Sequence, residues 1–311
     1  MPLSEFSLIR RFFTAQKIHN PSTRLGIGDD CALLSVPDGY ELAITVDTMV
    51  ENVHFFAGTD PRLLGHKLLA VNLSDLAAMG ANPLSVTLAL TLPTVDEAWL
   101  TAFAHGFLAL AALYSVDLIG GDTTSGPLTL TVQAMGLVPK GQALTRATAQ
   151  PGDLIYVTGN LGDAGLGLKI CQGFHCDQPD SALKRFHQPE PRCREGQALR
   201  GLATACIDIS DGLAGDLGHI LDQSGVGATI DWDALPLSAA VQVYLEATGD
   251  WQLPLMAGDD YELCFTISPE TASSLPFDCH KIGVIETAPG LRLQQSGTLH
   301  LIKAQGYEHF S

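Results

Sequence analysis

Apolar residues Phe6, Ile9, Phe12 and Phe13 recur at helical spacing, which predicts a short amphipathic helix at the start of the chain. Residues 26–54 read as two strands and their connections: Gly26-Ile27-Gly28-Asp29-Asp30-Cys31-Ala32-Leu33-Leu34, a short turn, then Leu42-Ala43-Ile44-Thr45-Val46-Asp47-Thr48. Asp60-Pro61 has the form of an N-cap and first-turn proline, opening a helix through about Met79. Leu63, Leu64, Leu68, Leu69, Val71, Leu73, Leu76 and Ala77 make that helix apolar nearly all round, so burial is expected. Asn72 and Asp75 lie three apart on one of its faces. A carboxylate on such a helix needs a partner, with a metal ion or a lysine as candidates.

Leu84–Leu92 alternates with period two and reads as a strand with one buried face; Trp99–Tyr114 reads as a helix. Val116–Ile119 reads as a strand running into a turn, Gly120-Gly121-Asp122-Thr123-Thr124, and Leu128–Val138 as a further strand. Pro139–Asp153 has the composition of a linker, which divides the chain into domains 1–140 and 150–311. Leu154–Thr158 resumes as a strand, followed by the turn Gly159–Gly165 into a helix; such a turn can cradle phosphate, though alone it is weak evidence. Residues 175–192, polar and proline-containing, read as a surface excursion. Cys206-Ile207-Asp208-Ile209-Ser210-Asp211-Gly212 again sets acids and a hydroxyl at a strand end, before a helix over Leu213–Leu221. Gly258-Asp259-Asp260-Tyr261-Glu262 precedes strands around Leu263–Ile267 and Lys281–Ile285. Strands and helices occur in both halves, so each is an α/β or α+β unit.

Composition narrows the function. With 34 acidic and 17 basic residues the formal charge is −17, which disfavours a nucleic-acid partner and fits a site neutralised by bound cations. The N-terminus lacks the basic start and apolar core of a signal peptide, and the apolar run near Phe107–Val116 falls short of the roughly 20 residues a membrane span needs. A cytoplasmic location is expected. Seven cysteines without a C-x-x-C pair point to reduced thiols, and Cys171, His175 and Cys176 lack the regular spacing of a zinc set.

Asp30, Asp47, Asp75, Asp122, Asp208 and Asp211, with Thr45 and Ser210 beside them, are the informative positions. Most of them are read at glycine-rich strand ends. Each taken singly has a plain alternative, such as Asp29-Asp30 solvating a turn. Together they suggest a hard oxygen site for more than one metal ion, of the kind that carries Mg²⁺ and phosphate. No calcium loop, G-x-x-x-x-G-K-[ST] or H-R-D signature is present. Metal-organised phosphate chemistry remains.

Gly26-Ile27-Gly28-Asp29-Asp30, Thr45-Val46-Asp47-Thr48, Val71-Asn72-Leu73-Ser74-Asp75-Leu76-Ala77-Ala78-Met79-Gly80, Gly120-Gly121-Asp122-Thr123 and Asp208-Ile209-Ser210-Asp211-Gly212 resemble, in order, the motifs of the thiamine-monophosphate kinase family. The resemblance runs from Phe6-Ser7-Leu8-Ile9 to Gly306-Tyr307. It implies the two-domain aminoimidazole-ribonucleotide-synthetase-like fold, an N-terminal domain that dimerises through its sheet into a homodimer, and ATP with several Mg²⁺ ions between the domains. Carried over by position, it implies metal binding by Asp30, Thr45, Asp47, Asp75, Asp122, Asp208 and Asp211, with Val46 giving its carbonyl. It also implies nucleotide contacts from Gly121, Asp122, Arg146 and Ser210, and contacts to thiamine phosphate from His54, Asp259 and Tyr307. The chain departs from the family at Ala257-Gly258-Asp259-Asp260-Tyr261-Glu262, where Gly-Gly-Glu-Asp-Tyr-Glu is usual. On residue type alone His54 also reads as a partly buried histidine, Arg146 as a linker charge and Tyr307 as a packing aromatic.

The activity implied is ATP-dependent phosphorylation of thiamine monophosphate to thiamine diphosphate by direct in-line transfer. The acceptor phosphate, with a second pKa near ~6, is already largely anionic at neutral pH, so neither a general base nor a protein nucleophile is expected. Two rivals stand beside this reading. One keeps the fold with another substrate, as in aminoimidazole-ribonucleotide or selenophosphate synthetases, although no reactive cysteine precedes Gly26. The other is a non-catalytic nucleotide or metal sensor, which would bind ATP-Mg²⁺ without making ADP.

Overall fold

The computed structural model describes residues 5–14 and 18–307. The chain divides into two compact units. One takes in the residues up to Leu76 with Ala81–Gly141; the other takes in Ala77–Gly80 and the residues from Gln142 on.

In the first unit the predicted opening helix is α1 (Glu5–Phe12); the side chain of Phe6 lies outside the described residues. A short antiparallel ribbon of β1 (Thr23–Leu25) and β2 (Leu33–Leu34) follows, with Asp30 in its connection. Next come β3 (Tyr40–Val50), α2 (Pro61–Ala78), β4 (Asn82–Leu92), α3 (Glu97–Leu113), β5 (Asp117–Ser125) and β6 (Thr129–Pro139). The strands form one sheet in the order β3-β6-β4-β5, antiparallel except for β4 against β5. α2 starts as its sequence predicts, with the Asp60 carboxylate accepting from the Arg62 N–H at 2.8 Å. Leu64, Leu68, Leu69, Leu73 and Leu76 along it are buried. α3 begins two residues earlier than its apolar period indicates, because Asp96 caps it by accepting from the N–H groups of Ala98 and Trp99.

Two strand-end expectations are corrected. β3 pairs with β6 without a break from Tyr40↔Pro139 to Val50↔Thr129, so Asp47 sits within the strand. β5 likewise continues through Gly120–Thr124, which reads as a turn in the sequence, because it stays paired with β4 as far as Leu92↔Ser125. Glycine here serves a close approach: a Cβ at Gly121, where φ is +152°, would lie 1.8 Å from the Leu88 carbonyl oxygen.

The second unit runs β7 (Leu154–Val157), α4 (Asp163–Cys171), α5 (Asp180–His187), α6 (Cys193–Ala198), β8 (Ala203–Asp208), α7 (Leu213–Ser224), β9 (Gly227–Asp231), α8 (Ala239–Thr248) and α9 (Leu253–Met256). It closes with β10 (Leu263–Ile267), β11 (His280–Glu286), β12 (Gly290–Gln295) and β13 (Thr298–Ile302). Its sheet has the order β13-β12-β9-β11-β7-β10-β8. Ile155, Val157, Ile207, Leu213, Leu217, Ile230, Cys264 and Ile282 build the core between sheet and α7. The segment 175–192 is not the surface excursion its polarity suggests. It forms α5, whose Ala182 and Phe186, one turn apart, are buried. Two of its arginines reach a buried carboxylate.

Candidate active site

In the first unit, alternation along β3 puts Thr45, Asp47 and the buried Met49 on one face and Val46 on the other, where Val46 is exposed. α2 lies against the first of these faces. The Thr45 hydroxyl donates to the Asp75 carboxylate, so the partner demanded by an acid on this helix is in part a strand hydroxyl. At the end of β3 the chain turns back: the His54 N–H donates to the Val50 carbonyl at 2.9 Å, and its ring Nδ1 accepts from the Val50 N–H at 3.0 Å. Accepting at Nδ1 leaves the ring proton on Nε2, which makes that nitrogen the donor. Asp30 is exposed, and its N–H donates to the Asp29 carboxylate.

The structure does not gather all of these acids. Asp47, Val132, Leu88 and Gly121 lie on one register row across the sheet. Gly121 and Asp122 are therefore on the opposite edge strand, about 14 Å of strand spacing from β3. Among the described residues, no group of three or more His, Cys, Asp or Glu side chains could hold a metal ion. The donors present are nonetheless carboxylates and a hydroxyl, the hard oxygen ligands that suit Mg²⁺. That ion keeps several waters and needs only one or two carboxylates plus substrate phosphates. In kind, the residues fit the ion.

In the second unit backbone hydrogen bonds bring three segments together at one turn. β8 ends at Asp208, which is buried, and Ile209–Gly212 turns into α7. The turn is held from inside by Asp216, whose carboxylate accepts from the N–H groups of Asp211 at 3.0 Å and Gly212 at 3.1 Å. Burial pushes the Asp216 carboxyl up to about 7, against the pull of these backbone N–H groups. Two further segments dock on the same turn. From the loop before β10, the Asp259 N–H donates to the Ser210 carbonyl at 2.9 Å and the Tyr261 N–H to that of Ile209 at 2.8 Å. From the chain after β13, the Tyr307 N–H donates to the Asp211 carbonyl at 3.1 Å. Ser210, Asp211, Asp259 and Tyr307, 97 residues apart in sequence at the extremes (307 − 210), are thus joined around one turn. Arg146 is exposed; its carbonyl accepts from Ser224 at the end of α7, and the preceding carbonyl of Thr145 accepts from Cys206 of β8.

The loop 258–262 contains residues that sequence reasoning passed over. Asp259 and Tyr261 have φ of +71° and +49°, a region that asparagine and aspartate tolerate and tyrosine does not. The Tyr261 hydroxyl donates to the Asp259 carboxylate at 3.0 Å. Between and after them stand two buried acids. Asp260 accepts from Gly162 N–H at 2.7 Å and Ala164 N–H at 3.2 Å at the start of α4, and burial pushes its carboxyl up to about 7. Glu262, 1% exposed, accepts from Thr158 at 2.6 Å, from Arg192 through Nε at 2.7 Å and Nη2 at 2.6 Å, and from Arg185. Burial acts to lower the Arg192 pKa, but the hydrogen bond and charge of Glu262 outweigh it and hold it above the ordinary value. A sequence signal existed. Three acids in five residues directly before the largely apolar strand Leu263–Ile267 require buried partners.

Residues 28–138 match the family described as AIR synthase related protein, N-terminal domain, and residues 150–293 match its C-terminal domain. The chain is 46% identical to the thiamine-monophosphate kinase of Escherichia coli K12, with 100% of this chain and 99% of the relative covered. The chain belongs to the thiamine-monophosphate kinase family. A crystal structure of a thiamine-monophosphate kinase from Stenotrophomonas maltophilia K279a matches with a TM-score of 0.86 at 44% identity, over 96% of this chain and 99% of that one. A further structure, AaThiL complexed with AMPPCP and TMP, matches with a TM-score of 0.80 at 28% identity over 89% of each chain. The mixed α/β architecture of both units is thus that of the thiamine-monophosphate kinases. No helix among the described residues is long and apolar enough to cross a membrane.

Proposed function

We propose that this chain transfers the γ-phosphoryl group of ATP to thiamine monophosphate, giving thiamine diphosphate. The observation that carries the proposal is the joining of Ser210, Asp211, Asp259 and Tyr307 by backbone hydrogen bonds around the β8–α7 turn. The complex of a 28% identical family member with AMPPCP and TMP supports the choice of both substrates. In this reading Ser210, Arg146, Gly121 and Asp122 hold the nucleotide, and His54, Asp259 and Tyr307 hold the acceptor. His54 would offer Nε2–H to an acceptor oxygen. Asp259 would offer a carboxylate oriented by the Tyr261 hydroxyl.

Asp30, Thr45, Asp47, Asp75, Asp122, Asp208 and Asp211, with the Val46 carbonyl, would hold Mg²⁺. Bound there, the ions would supply charge neutralisation for the phosphates. The protein's own part is positioning. The acceptor oxygen is already anionic, so direct in-line attack needs no proton removed by a side chain and no phosphoenzyme. The exposed side chains of Tyr40, Ile44 and Val46, on one face of β3, support a homodimer formed through this sheet. A cytoplasmic enzyme, supplied there with ATP and Mg²⁺, is the location this reading takes.

Incubation with ATP, Mg²⁺ and a panel of phosphorylated acceptors tests the proposal. ADP and thiamine diphosphate formed in equal amounts, with thiamine monophosphate as the preferred acceptor, is the expected result. ATP binding without acceptor-dependent ADP would leave the sensor reading in its place.

A further inference from the structure

The carboxylate of Glu262 is fully buried and is contacted by two arginines that are themselves mostly covered, Arg185 at 18% and Arg192 at 21% side-chain exposure. The two do different things. Arg192 grips both Glu262 oxygens side by side, a bidentate pair that satisfies the buried charge by itself together with Thr158. Arg185 reaches from α5 and bonds twice through Nη2: to the Glu262 carboxylate and, at 2.9 Å, to the backbone carbonyl of Asp260. It therefore ties together the chain on either side of Tyr261, the point of the loop held in a left-handed conformation that tyrosine disfavours. Asp260 and Glu262 anchor the loop at α4 and β7, while Asp259 and Tyr261 are left facing the β8–α7 turn. Nothing in the transfer reaction itself calls for a guanidinium on α5.

We infer that Arg185 is a positioning residue for the acceptor: by bridging the Asp260 carbonyl and Glu262 it holds the 259–261 loop in the conformation that presents the Asp259 carboxylate, oriented by Tyr261. The inference rests on the proposed contact between Asp259 and thiamine monophosphate. α5 thereby becomes part of the substrate machinery without touching substrate. The effect belongs to acceptor binding. Asp259 contributes to holding the acceptor, and a loop that samples other conformations presents it only part of the time, which reduces apparent affinity by the fraction of competent molecules.

The test is steady-state kinetics of the full chain, with each substrate varied at saturation of the other, for wild type, Arg185→Ala, Arg185→Lys, Asp259→Asn and Arg185→Ala/Asp259→Asn. Arg185→Ala leaves Glu262 paired with Arg192 and Thr158, so it does not strand a buried charge; thermal unfolding checks that each variant is folded. Arg185→Ala should raise the acceptor KM about tenfold, the worth of one charge-assisted hydrogen bond, with kcat and the ATP KM within about twofold of wild type. Arg185→Lys, which keeps a charge and a donor, should recover part of the loss. In the Asp259→Asn background, Arg185→Ala should add almost nothing. An unchanged acceptor KM, an equal loss in the ATP KM, or an effect that multiplies with that of Asp259→Asn would overturn the inference. If Asp259→Asn alone leaves the acceptor KM unchanged, the assignment of Asp259 fails first, and that outcome is recognisable because it needs no Arg185 variant.

Discussion

Gly258→Ala probes the junction between the 258–262 loop and the β8–α7 turn with a single methyl group. A Cβ at position 258 would lie 2.3 Å from the Ser210 carbonyl oxygen and 3.3 Å from Asp211 Cα. Ordinary carbon–oxygen contacts are longer by about 1 Å, so either the loop or the turn must retreat by that amount. The same Ser210 oxygen accepts from Asp259 N–H at 2.9 Å, and the neighbouring Ile209 oxygen accepts from Tyr261 N–H at 2.8 Å. A retreat of about 1 Å takes both bonds beyond hydrogen-bonding range. At about 0.5–1.5 kcal/mol each, their loss lowers unfolding free energy by about 1–3 kcal/mol. On the proposed reading the functional consequence is larger, because Ser210 on the nucleotide side and Asp259 on the acceptor side are then displaced relative to one another. A misplacement of about 1 Å costs on the order of 100-fold in rate where two bound groups must meet in line. Urea unfolding and kcat/KM for thiamine monophosphate at saturating ATP measure the two effects separately. A folded variant whose kcat/KM stays within threefold of wild type would falsify the reasoning, since the close approach of the two segments would then be dispensable.

Asp47→Asn, which keeps size and removes charge, should lower kcat by orders of magnitude at ordinary Mg²⁺ with little change in unfolding midpoint; near-normal turnover would remove the metal role of Asp47. Chiral γ-phosphate should show inversion at phosphorus, and net retention would require a phosphoenzyme. Asp260→Asn should alter the pH dependence of stability. A carboxyl raised from 3.8 to about 7 in the folded state stabilises fully below pH 4, and that contribution, about 4 kcal/mol, is lost as pH rises through 7. The stability of wild type relative to Asp260→Asn should accordingly fall between pH 4.5 and pH 8 in urea titrations, and a flat difference would contradict burial as the dominant influence on this group.

What the sequence discloses is governed by how local the cause is. α2 is legible because its cap, its first-turn proline and its nearly all-round apolar surface all lie within twenty residues, and the demand of Asp75 for a partner follows from the helix alone. The partner itself is not legible, since Thr45 is 30 residues away on a strand. Asp47 and Asp122 look like strand-end residues because flanking hydroxyls and glycines resemble turn chemistry. Pairing with Val132 and Ala89 carries both strands straight through. Arg185 and Arg192 lie in a segment whose local composition is that of exposed loop, and their acceptor is 77 and 70 residues distant. The candidate site was legible as a set of acids in motif order. Much of its support was not, because the contacts from Tyr307, Arg185 and Arg192 cross the fold.

The buried ionic cluster around Glu262 bears on what that support is for. Bringing a carboxylate and two guanidinium groups out of water is costly, and well-packed apolar residues of similar volume often serve stability as well or better. An apolar residue at position 262 could fill the space beside Thr158, but it could not set a direction. Arginine forks do so, because their N–H groups accept only a narrow range of acceptor geometries. Here they fix Glu262 at one end of the loop and the Asp260 carbonyl in the middle, while the start of α4 fixes the Asp260 carboxyl. Asp259 and Tyr261, between and beside these anchors, then persist at positive φ, and for Tyr261 this costs about 1–3 kcal/mol that only an over-determined surrounding sustains. On the proposed reading, stability of the second unit and presentation of Asp259 rest largely on different groups. The sheet core of Ile155, Ile207 and Ile282 answers for the first. On that reading, the polar anchors at 185, 192, 260 and 262 answer for the second.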